Sequence, residues 1–443
     1  VRFDIFFIFE TADIVFSMRS RSGHIDYGSV AIAAIRIGEI EYAKDILKRN
    51  RLRMDLRAQR IRVGLPFHIY EDWEGTLEEI ELTPAKFRND PTILIYESIS
   101  LASSLKHEAA ENVAQKINDL SERAALLYSL RRSWGDDSGA LESWNTPLID
   151  SKISPMPLDW GDSGFNFLSL GGLSPQSREI TGDLVSVIMT VHKWNDAFPV
   201  AVSSVLNQSH QNLELIVIDD NSSEEDVALY DQLLQDERII RIRMDENVGT
   251  YSCRNRGIDV ARGKYVTFAD SDDWNHPERV QRGIEQMELH NLDVSLGRYI
   301  RLNQNGKVSF NGGRISRFSL VTMMIRMSML RRTGYRFDGR ARFSADSEFF
   351  ERLKINLGEG RVKRHSNLDL VALHHDDSLT GGGDNAIGWT GPGEVRTRYV
   401  SGYRRWHSKL RRNQNVDNGE LCFSPPSINS INENPTEIEL RLR

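Results

Sequence analysis

Apolar positions in the first third of the chain recur with a helical period. Across Asp26–Arg132 they return at spacings of about 3.6 residues, with Gly38 between the first two runs. Pro91–Leu105 and Glu108–Leu130 predict a second helix pair. No motif recurs at a fixed period, so we interpret residues 1–132 as an irregular, mainly helical module. A helical repeat array is the alternative.

The helical period ends between residues 133 and 182, where glycine and proline accumulate. We interpret residues 133–182 as a Gly/Pro-rich linker or an irregular lid. Trp134, Trp144 and Trp160 indicate that parts of this segment pack onto a neighbour.

At Leu184 the pattern changes to apolar strands that alternate with helices, which is typical of a parallel sheet in an α/β domain. Asn305-Gly306 predicts a hairpin turn between Val294–Leu302 and a strand at Lys307–Phe310. The chain becomes polar near residue 413, so we expect a domain over 183–412 and a disordered tail over 413–443. The predicted strands are a run that begins at Leu184, followed by Leu213–Ile218, Ile239–Arg243 and Tyr265–Ala269. The predicted helices are Ala197–Gln208, Glu224–Leu234, Thr250–Ala261 and a helix that starts at Pro277.

Composition indicates an ordinary globular protein with several domains. The chain has 443 residues, of which 40% are apolar and 27% charged. Its 56 basic and 63 acidic residues leave a net charge of −7, which provides no overall positive field for binding nucleic acid. Two cysteines cannot form a disulfide framework, so a reducing, cytoplasmic location is expected. The apolar run Ile5–Phe9 is far shorter than the roughly 20 residues of a membrane span.

Acidic residues follow the predicted strands at the edge where open α/β sheets bind ligands. Asp219 and Asp220 end the second strand, and Asp270, Asp272 and Asp273 follow the fourth. Neighbouring carboxylates repel one another unless a cation neutralises them, and oxygen ligands suit Mg²⁺ or Mn²⁺. An acidic turn with helix-capping aspartates is the alternative. Neither GxGxxG nor GxxxxGK[ST] follows the first strand, which argues against a dinucleotide dehydrogenase or a P-loop NTPase.

A colinear series of motifs in this part of the chain resembles the family 2 glycosyltransferases with a GT-A fold. The series is Val185-Ser-Val-Ile-Met-Thr190, Leu213-Glu-Leu-Ile-Val-Ile-Asp-Asp-Asn-Ser222, Glu246-Asn-Val-Gly249, Cys253-Arg-Asn-Arg-Gly257, Ala261-Arg-Gly-Lys-Tyr265 and Ala269-Asp-Ser-Asp-Asp-Trp274. The resemblance covers about residues 184–380. It implies metal-dependent, inverting transfer of a sugar, of the hexosyltransferase class, from a nucleotide-sugar to a glycan, lipid-linked or protein acceptor. UDP is the favoured nucleotide, and surface polysaccharide synthesis is a consistent pathway.

The resemblance also implies where the donor binds. Thr190 and Asp220 match positions that hold the nucleotide base, with Asp219 beside them, and a carboxylate can accept the N3–H of uracil. Arg254 matches a position near the base and phosphates. His192-Lys193 replaces the last two places of the usual Thr-x-Tyr-Asn, so this part of the donor pocket departs from the family pattern.

The same resemblance assigns the metal. Asp270 and Asp272 match the DxD pair, reaching the ribose and the cation respectively, and Asp273 is a substitute ligand. In the closing strand of the family a histidine sometimes completes the metal shell. His375 is the better match for that position, with His374 the second choice, and a structural histidine is the alternative reading.

The segment Arg342–Arg352 resembles the family's Glu-Asp-x-Glu-Phe-x-x-Arg sequence, in which the aspartate takes the acceptor proton. Asp346 is therefore the candidate catalytic base, although Ala345 replaces the usual acidic neighbour. Its alternative reading is a helix N-cap, because an apolar run follows it. Glu348 is the next candidate base along the segment.

Residues 396–412 are strongly basic, with aromatic residues interleaved. The stretch is predicted to be a helix that contacts an anionic membrane at the inner face, a lipid-diphosphate acceptor or acidic parts of the protein, and a solvated or inter-domain face is the plain alternative. Two other functions compete with the glycosyltransferase reading. One is a non-catalytic scaffold that binds nucleotide or glycan, and the other is a nucleotidyltransferase, which the lack of a Gly-rich phosphate loop disfavours.

Overall fold

A computed structural model describes residues 27–36, 38–150, 165–172, 182–309, 314–374, 387–388, 391–392 and 394–411. The chain divides into two compact units. The first comprises Val1–Pro147, Phe310–Ile315 and Gly388–Gly391, and the second comprises Leu148–Ser309, Ser316–Ile387 and Pro392–Arg443. The predicted tail at 413–443, the Ile5–Phe9 run and Trp160 lie outside the described residues.

The first unit is helical, as the apolar period predicts. Aspartates at the N-caps explain where several of its helices begin, since Asp55, Asp72, Asp90 and Asp119 each accept a backbone N–H from the first turn that follows. The helices are α1 (Tyr27–Arg36), α2 (Ile40–Arg49), α3 (Leu56–Ile69), α4 (Trp73–Glu81), α5 (Pro91–Ser103), α6 (His107–Ala114), α7 (Leu120–Ser133) and α8 (Asp137–Asp150).

Three details of this unit differ from the sequence prediction. The predicted helix Glu108–Leu130 is two helices, α6 and α7, because the chain turns before the Asp119 cap. Helices α3 and α4 lie within the predicted helical stretch but had no predicted bounds of their own. Helix α8 occupies the start of the segment interpreted as a linker or lid, where the side chain of Asp136 accepts the Gly139 N–H at 2.9 Å. Trp144 on this helix is buried, and its ring lies 5.1 Å from that of Tyr128.

The second unit contains one mixed sheet of nine strands, ordered β3-β2-β1-β4-β8-β6-β9-β5, with β7 beside β6. Neighbours among β3, β2, β1 and β4 are parallel, as are β6 and β9, and the other pairs are antiparallel. The strands are β1 (Val185–Val191), β2 (Leu213–Asp219), β3 (Ile239–Arg243), β4 (Tyr265–Asp270), β5 (Asp273–Asn275), β6 (Val294–Leu302), β7 (Arg317–Phe318), β8 (Met324–Arg326) and β9 (Val362–Leu373), and two-residue strands β10 (Ile387–Gly388) and β11 (Gly391–Pro392) pair separately.

Helices cover both faces of this sheet, which makes it the centre of a three-layer α/β domain. Ile188 and Phe268 belong to a core shared with α11, α13, α14 and α15, whereas Val187 and Val217 on the opposite face pack with α9, α10 and α12. The helices are α9 (Phe198–Leu206), α10 (Glu224–Leu233), α11 (Thr250–Val260), α12 (Arg279–Leu289), α13 (Met327–Thr333), α14 (Ala345–Leu357) and α15 (Glu394–Leu410).

The predicted alternation of strands and helices up to β4 is confirmed, but one later expectation is wrong. Helix α12 begins at Arg279 and not at Pro277. The turn predicted at Asn305-Gly306 is present, since the Gly306 N–H donates to the Asn303 carbonyl at 2.9 Å and Leu302 pairs with Val308 in an antiparallel bridge, but the described residues after the turn form this isolated bridge and no longer strand. Among the helices of the described residues, none combines the length and the apolar character needed to cross a bilayer.

Candidate active site

The strand ends of the second unit bring the predicted donor-binding residues to one edge of the sheet. Thr190 near the end of β1 lies in register with Asp270 at the end of β4, and Val191 lies in register with Asp219 at the end of β2. Thr190, Asp219 and Asp220 are buried, while the side chain of Asp270 is 35% exposed. This edge therefore gathers several carboxylates, of which Asp270 is partly exposed to solvent.

Asp219 and Asp220 are held by hydrogen bonds from the loops around them. Asp219 Oδ1 accepts the Ser222 N–H at 2.9 Å. The two carboxylate oxygens of Asp220 accept the N–H groups of Val248 at 2.7 Å and Gly249 at 2.8 Å. Asp220 thus fixes the loop before α11, and a carboxylate oxygen retains a second lone pair for a ligand. Its assignment to the nucleotide base stays a prediction.

The loop that Asp220 holds also needs the glycine of the Asn-Val-Gly motif. Gly249 has φ 88°, and a Cβ at this position would lie 2.5 Å from Nη1 of Arg342. Arg342 donates from Nη1 to Asn247 Oδ1 at 2.8 Å and from Nη2 to the Asn247 carbonyl at 3.1 Å. These bonds tie the loop to the segment that leads into α14.

Arg254 on α11 is the cation at the centre of the site. Its Nη2 lies 2.6 Å from Asp270 Oδ1, and its side chain is only 3% exposed. Burial acts to lower the pKa of Arg254, but Asp270, Tyr251 and Asp346 together raise it above its ordinary value. Burial raises the pKa of Asp270, as do Asp272 and Asp346, whereas Arg254 opposes the increase.

Asp273 is the most strongly perturbed carboxyl of the group. Burial, followed by the charges of Asp272 and Asp270, raises its pKa well above the ordinary range, and Arg301 opposes this. Its Oδ1 accepts the N–H of Leu373 on β9 at 3.2 Å. This crowding of oxygen donors fits a hard divalent cation, which would relieve the repulsion.

The metal shell expected from the sequence is only partly covered by the structure. His375 lies outside the described residues, and β9 ends at Leu373, just before His374. Within the described ranges, no group of three or more His, Cys, Asp or Glu side chains is arranged to hold a metal ion. Asp272 and Asp273 therefore stand as a two-carboxylate candidate, and the third ligand stays a prediction.

Asp346 lies in the first turn of α14, close to Arg254 and Tyr251. Its N-cap interpretation is wrong, because Ser344 occupies the cap position and Asp346 Oδ1 accepts the N–H of its neighbour Ser347 at 2.7 Å. Burial, followed by the negative charge of Asp346, raises the pKa of the Tyr251 hydroxyl. The proposed base and the strand-end carboxyl Asp270 thus face the same arginine, Arg254.

Glu348 is excluded as a substitute base by its own contacts. Its side chain is fully buried, and its two oxygens pair with Arg352 Nε at 2.9 Å and Nη2 at 3.0 Å. His407 Nε2 lies 2.9 Å from the same carboxylate. Glu348 therefore stabilises the packing of α14 against α15 and has no access to an acceptor.

Sequence reasoning missed two residues of this neighbourhood, Tyr251 and Arg396. Tyr251 follows the Gly249 loop on α11, where its spacing from Arg254 places both on one helix face. Arg396 was grouped with the basic stretch, but it is buried and donates from Nη1 to Ser344 Oγ at 3.0 Å. The first arginine of the stretch 396–412 therefore contacts the protein and is not part of the exposed face.

The rest of α15 is amphipathic. Tyr399, Tyr403 and Trp406 are buried in the protein, which explains the interleaved aromatic residues. The opposite face exposes Arg398, Arg404, Arg405 and Arg411. The described part of this helix therefore presents a row of cations to solvent.

Comparison with known proteins shows which family the α/β unit resembles. Residues 186–346 match the model of glycosyl transferase family 2. An uncharacterized glycosyltransferase of Haemophilus influenzae is 33% identical over 117 residues, which are 26% of this chain and 47% of the relative. The Escherichia coli UDP-Glc:alpha-D-GlcNAc-diphosphoundecaprenol beta-1,3-glucosyltransferase WfaP is 31% identical over 26% of this chain and 46% of its own. The putative teichuronic acid biosynthesis glycosyltransferase TuaG of Bacillus subtilis is 35% identical over 28% of this chain and 49% of its own.

These matches span less than half the length of each of these relatives. Among solved structures, S. aureus TarS in complex with UDP-GlcNAc matches with a TM-score of 0.37 and 19% identity, over 44% of this chain and 59% of that chain. The sheet, its helices and the family match confirm the resemblance that the motifs indicate. Residues 186–346 of this chain therefore match glycosyl transferase family 2, and they lie within the α/β unit that carries the candidate site.

Proposed function

We propose that this protein is a metal-dependent, inverting glycosyltransferase that moves a sugar from a nucleotide-sugar, with UDP as the nucleotide, to a glycan, lipid-linked or protein acceptor. The observation that carries the proposal is the shared position of Arg254, which pairs with Asp270 and whose pKa responds to Asp346. A strand-end carboxyl for the donor and a helix-start carboxyl for the acceptor therefore belong to one site.

Asp346 is the general base in this proposal. Its carboxylate takes the proton of the acceptor hydroxyl, the freed oxygen forms a bond to the anomeric carbon, and the bond from that carbon to the diphosphate oxygen breaks. Inversion follows because the attacking and leaving oxygens lie on opposite faces of the sugar. The departing nucleoside diphosphate carries away the electron pair of the broken bond.

Thr190, Asp219 and Asp220 would hold the nucleotide, with Asp270 on the ribose and Arg254 near the phosphates. Asp272 and Asp273 would hold Mn²⁺ or Mg²⁺, with His375 as the predicted third ligand. Such a cation supplies charge neutralisation for the diphosphate leaving group. Magnesium commonly uses one or two carboxylates and completes its shell with phosphate oxygens and water, which suits a two-carboxylate site.

The names of two relatives support a UDP-sugar as the donor and a role in polysaccharide synthesis. WfaP is named for UDP-Glc and a diphosphoundecaprenol acceptor, and TuaG for teichuronic acid biosynthesis. We extend these to a UDP-sugar donor, a lipid-linked or glycan acceptor and surface polysaccharide synthesis. The exposed arginines of α15 support a peripheral contact with an anionic membrane or a lipid-diphosphate group.

The test is a panel of nucleotide-sugars incubated with the full chain, with and without Mn²⁺, with release of the free nucleotide as the signal. We expect cation-dependent hydrolysis of at least one UDP-sugar, because water can take the place of the missing acceptor hydroxyl at the anomeric carbon. Tight UDP binding with no turnover of any donor would support the non-catalytic scaffold instead. Turnover of another nucleotide-sugar alone would overturn the UDP assignment.

A further inference from the structure

Arg396 differs from the exposed arginines of α15 because the protein buries it. The residue is 8% exposed, and its guanidinium lies over the ring of Phe343 at 5.3 Å. Its Nη1 donates to Ser344 Oγ at 3.0 Å, which connects the start of α15 to the start of α14.

The charge of Arg396 has no ion pair within 4.0 Å among the described residues, and its buried Nε has no hydrogen-bond partner there. An arginine keeps its proton in a protein, so this is a buried cation. Burial lowers its pKa, while Tyr251 and Asp346 act in the opposite direction. A buried charge is unfavourable unless it is compensated, and Asp346 is an acidic residue whose field reaches it.

Ser344 has an unusual backbone conformation immediately before the first residue of α14. It has φ 60° and ψ 8°, a left-handed geometry that is unfavourable for a residue with a Cβ. It precedes Asp346 by two residues, and its carbonyl accepts the first helical N–H, that of Glu348, at 3.1 Å. The hydrogen bond from Arg396 therefore holds the residue that sets the direction of Asp346.

The other charged or titratable groups that act on Asp346 come from three elements. Tyr251 and Arg254 lie on α11, Asp270 ends β4, and Tyr403 lies on α15 with Arg396. Arg254 is already paired with Asp270 at 2.6 Å. Arg396 is the cation of this group that is not paired with another carboxylate among the described residues.

We propose that Arg396 is a positioning residue for the base Asp346, because its hydrogen bond to Ser344 holds the start of α14, where Asp346 lies. A general base contributes only when it is held within hydrogen-bond reach of the proton that it takes. This inference rests on the proposed function, in which Asp346 is the base.

The experiment compares Arg396→Gln, Arg396→Lys and Ser344→Ala with the wild-type full chain. The kcat and the donor KM of hydrolysis are measured with the UDP-sugar that the wild type turns over. Arg396→Gln loses the hydrogen bond to Ser344 Oγ, so kcat falls at least about tenfold while the donor KM stays unchanged. Arg396→Lys keeps a cationic donor for Ser344 Oγ and retains more of kcat than Arg396→Gln does. Ser344→Ala removes the acceptor oxygen and lowers kcat in the same way.

Arg332→Gln is the matched control, because it removes an exposed arginine from α13 and should leave both kcat and the donor KM unchanged. A wild-type kcat in Arg396→Gln, or an increase in donor KM with no change in kcat, overturns the role of Arg396. If Arg396→Gln does not fold, the other two variants decide, and Arg396→Lys must then retain more of kcat than Ser344→Ala does. A wild type that turns over no donor overturns the proposed function itself, and this inference falls with it.

Discussion

Arg254 Nη2 and Asp270 Oδ1 lie 2.6 Å apart, and this ion pair joins the helix after the Gly249 loop to the end of a central strand. The arginine is 3% exposed and the aspartate is 35% exposed, so the pair sits at the boundary between core and solvent. Asp220 fixes the other end of the same loop through the N–H groups of Val248 and Gly249. Carboxylates at the ends of two strands therefore hold the donor side of the site in place without a ligand.

Arg254→Gln should destabilise the protein. The substitution removes a charge-assisted hydrogen bond and leaves Asp270 beside two other carboxyl groups, so we expect a loss of about 1.5–3 kcal/mol in the free energy of unfolding. Urea denaturation at neutral pH measures it. Arg336→Gln is the control, because its 2.7 Å pair with Asp259 is between partly exposed side chains and should contribute less than about 1 kcal/mol. Equal losses in the free energy of unfolding would show that the Arg254 pair stabilises the protein no more than an exposed pair does.

The strands that the sequence predicts best are those with uninterrupted apolar runs. Every residue of β1 and β2 is buried, and both strands match their predicted positions closely, because a central parallel strand has helices on both faces. β4, which runs parallel to β1, is also mostly buried, and it too matches its predicted position. Once the strands are placed, the carboxylates at their ends follow from chain order alone.

The later strands were harder to predict because their pairing is long-range. β6 pairs with β9, which lies some sixty residues further along the chain, and no local pattern in the sequence indicates this pairing. Arg396 was missed for a similar reason. Its partner Ser344 is 52 residues away, and a basic stretch with aromatic residues gives no sign of which arginine turns inward.

Binding of UDP should require a divalent cation and Asp272. Without a cation, the carboxylates after β4 repel the diphosphate, so we expect UDP to bind at least about tenfold more weakly in chelator than in Mn²⁺, a difference of ~1.4 kcal/mol. Asp272→Ala should remove most of this dependence on Mn²⁺. Isothermal calorimetry measures both, with Glu225→Ala on the exposed part of α10 as the control. Equal affinity in all conditions would contradict the metal assignment.

Charge reversal on the exposed face of α15 should weaken binding to anionic vesicles. Arg404→Glu with Arg405→Glu changes the charge by four units near the membrane, and surface attraction is worth about 1 kcal/mol per basic residue. Flotation with phosphatidylserine-containing vesicles measures it, and the wild-type signal should fall as salt rises. The same reversal at the exposed pair Arg331 and Arg332 on α13 is the control for net charge. Unchanged vesicle binding would leave this face as a solvated surface.

Asp346→Asn should abolish transfer while the protein stays folded and binds its donor. Ser344 is the N-cap residue of α14, and an asparagine oxygen can still accept the Ser347 N–H that Asp346 accepts at 2.7 Å, so the start of the helix keeps this hydrogen bond. An amide cannot take a proton at neutral pH, and a general base contributes roughly 10²–10⁴-fold, so we expect transfer to fall at least about a hundredfold. Steady-state kinetics with thermal unfolding separates the two effects, and Glu351→Gln on the same helix is the control. Glu348 cannot substitute, because Arg352 and His407 hold it in the core. Transfer near the wild-type rate would therefore show that neither Asp346 nor Glu348 of α14 is the base. A loss of thermal stability with little change in the transfer rate would instead assign Asp346 to the packing of the helix start.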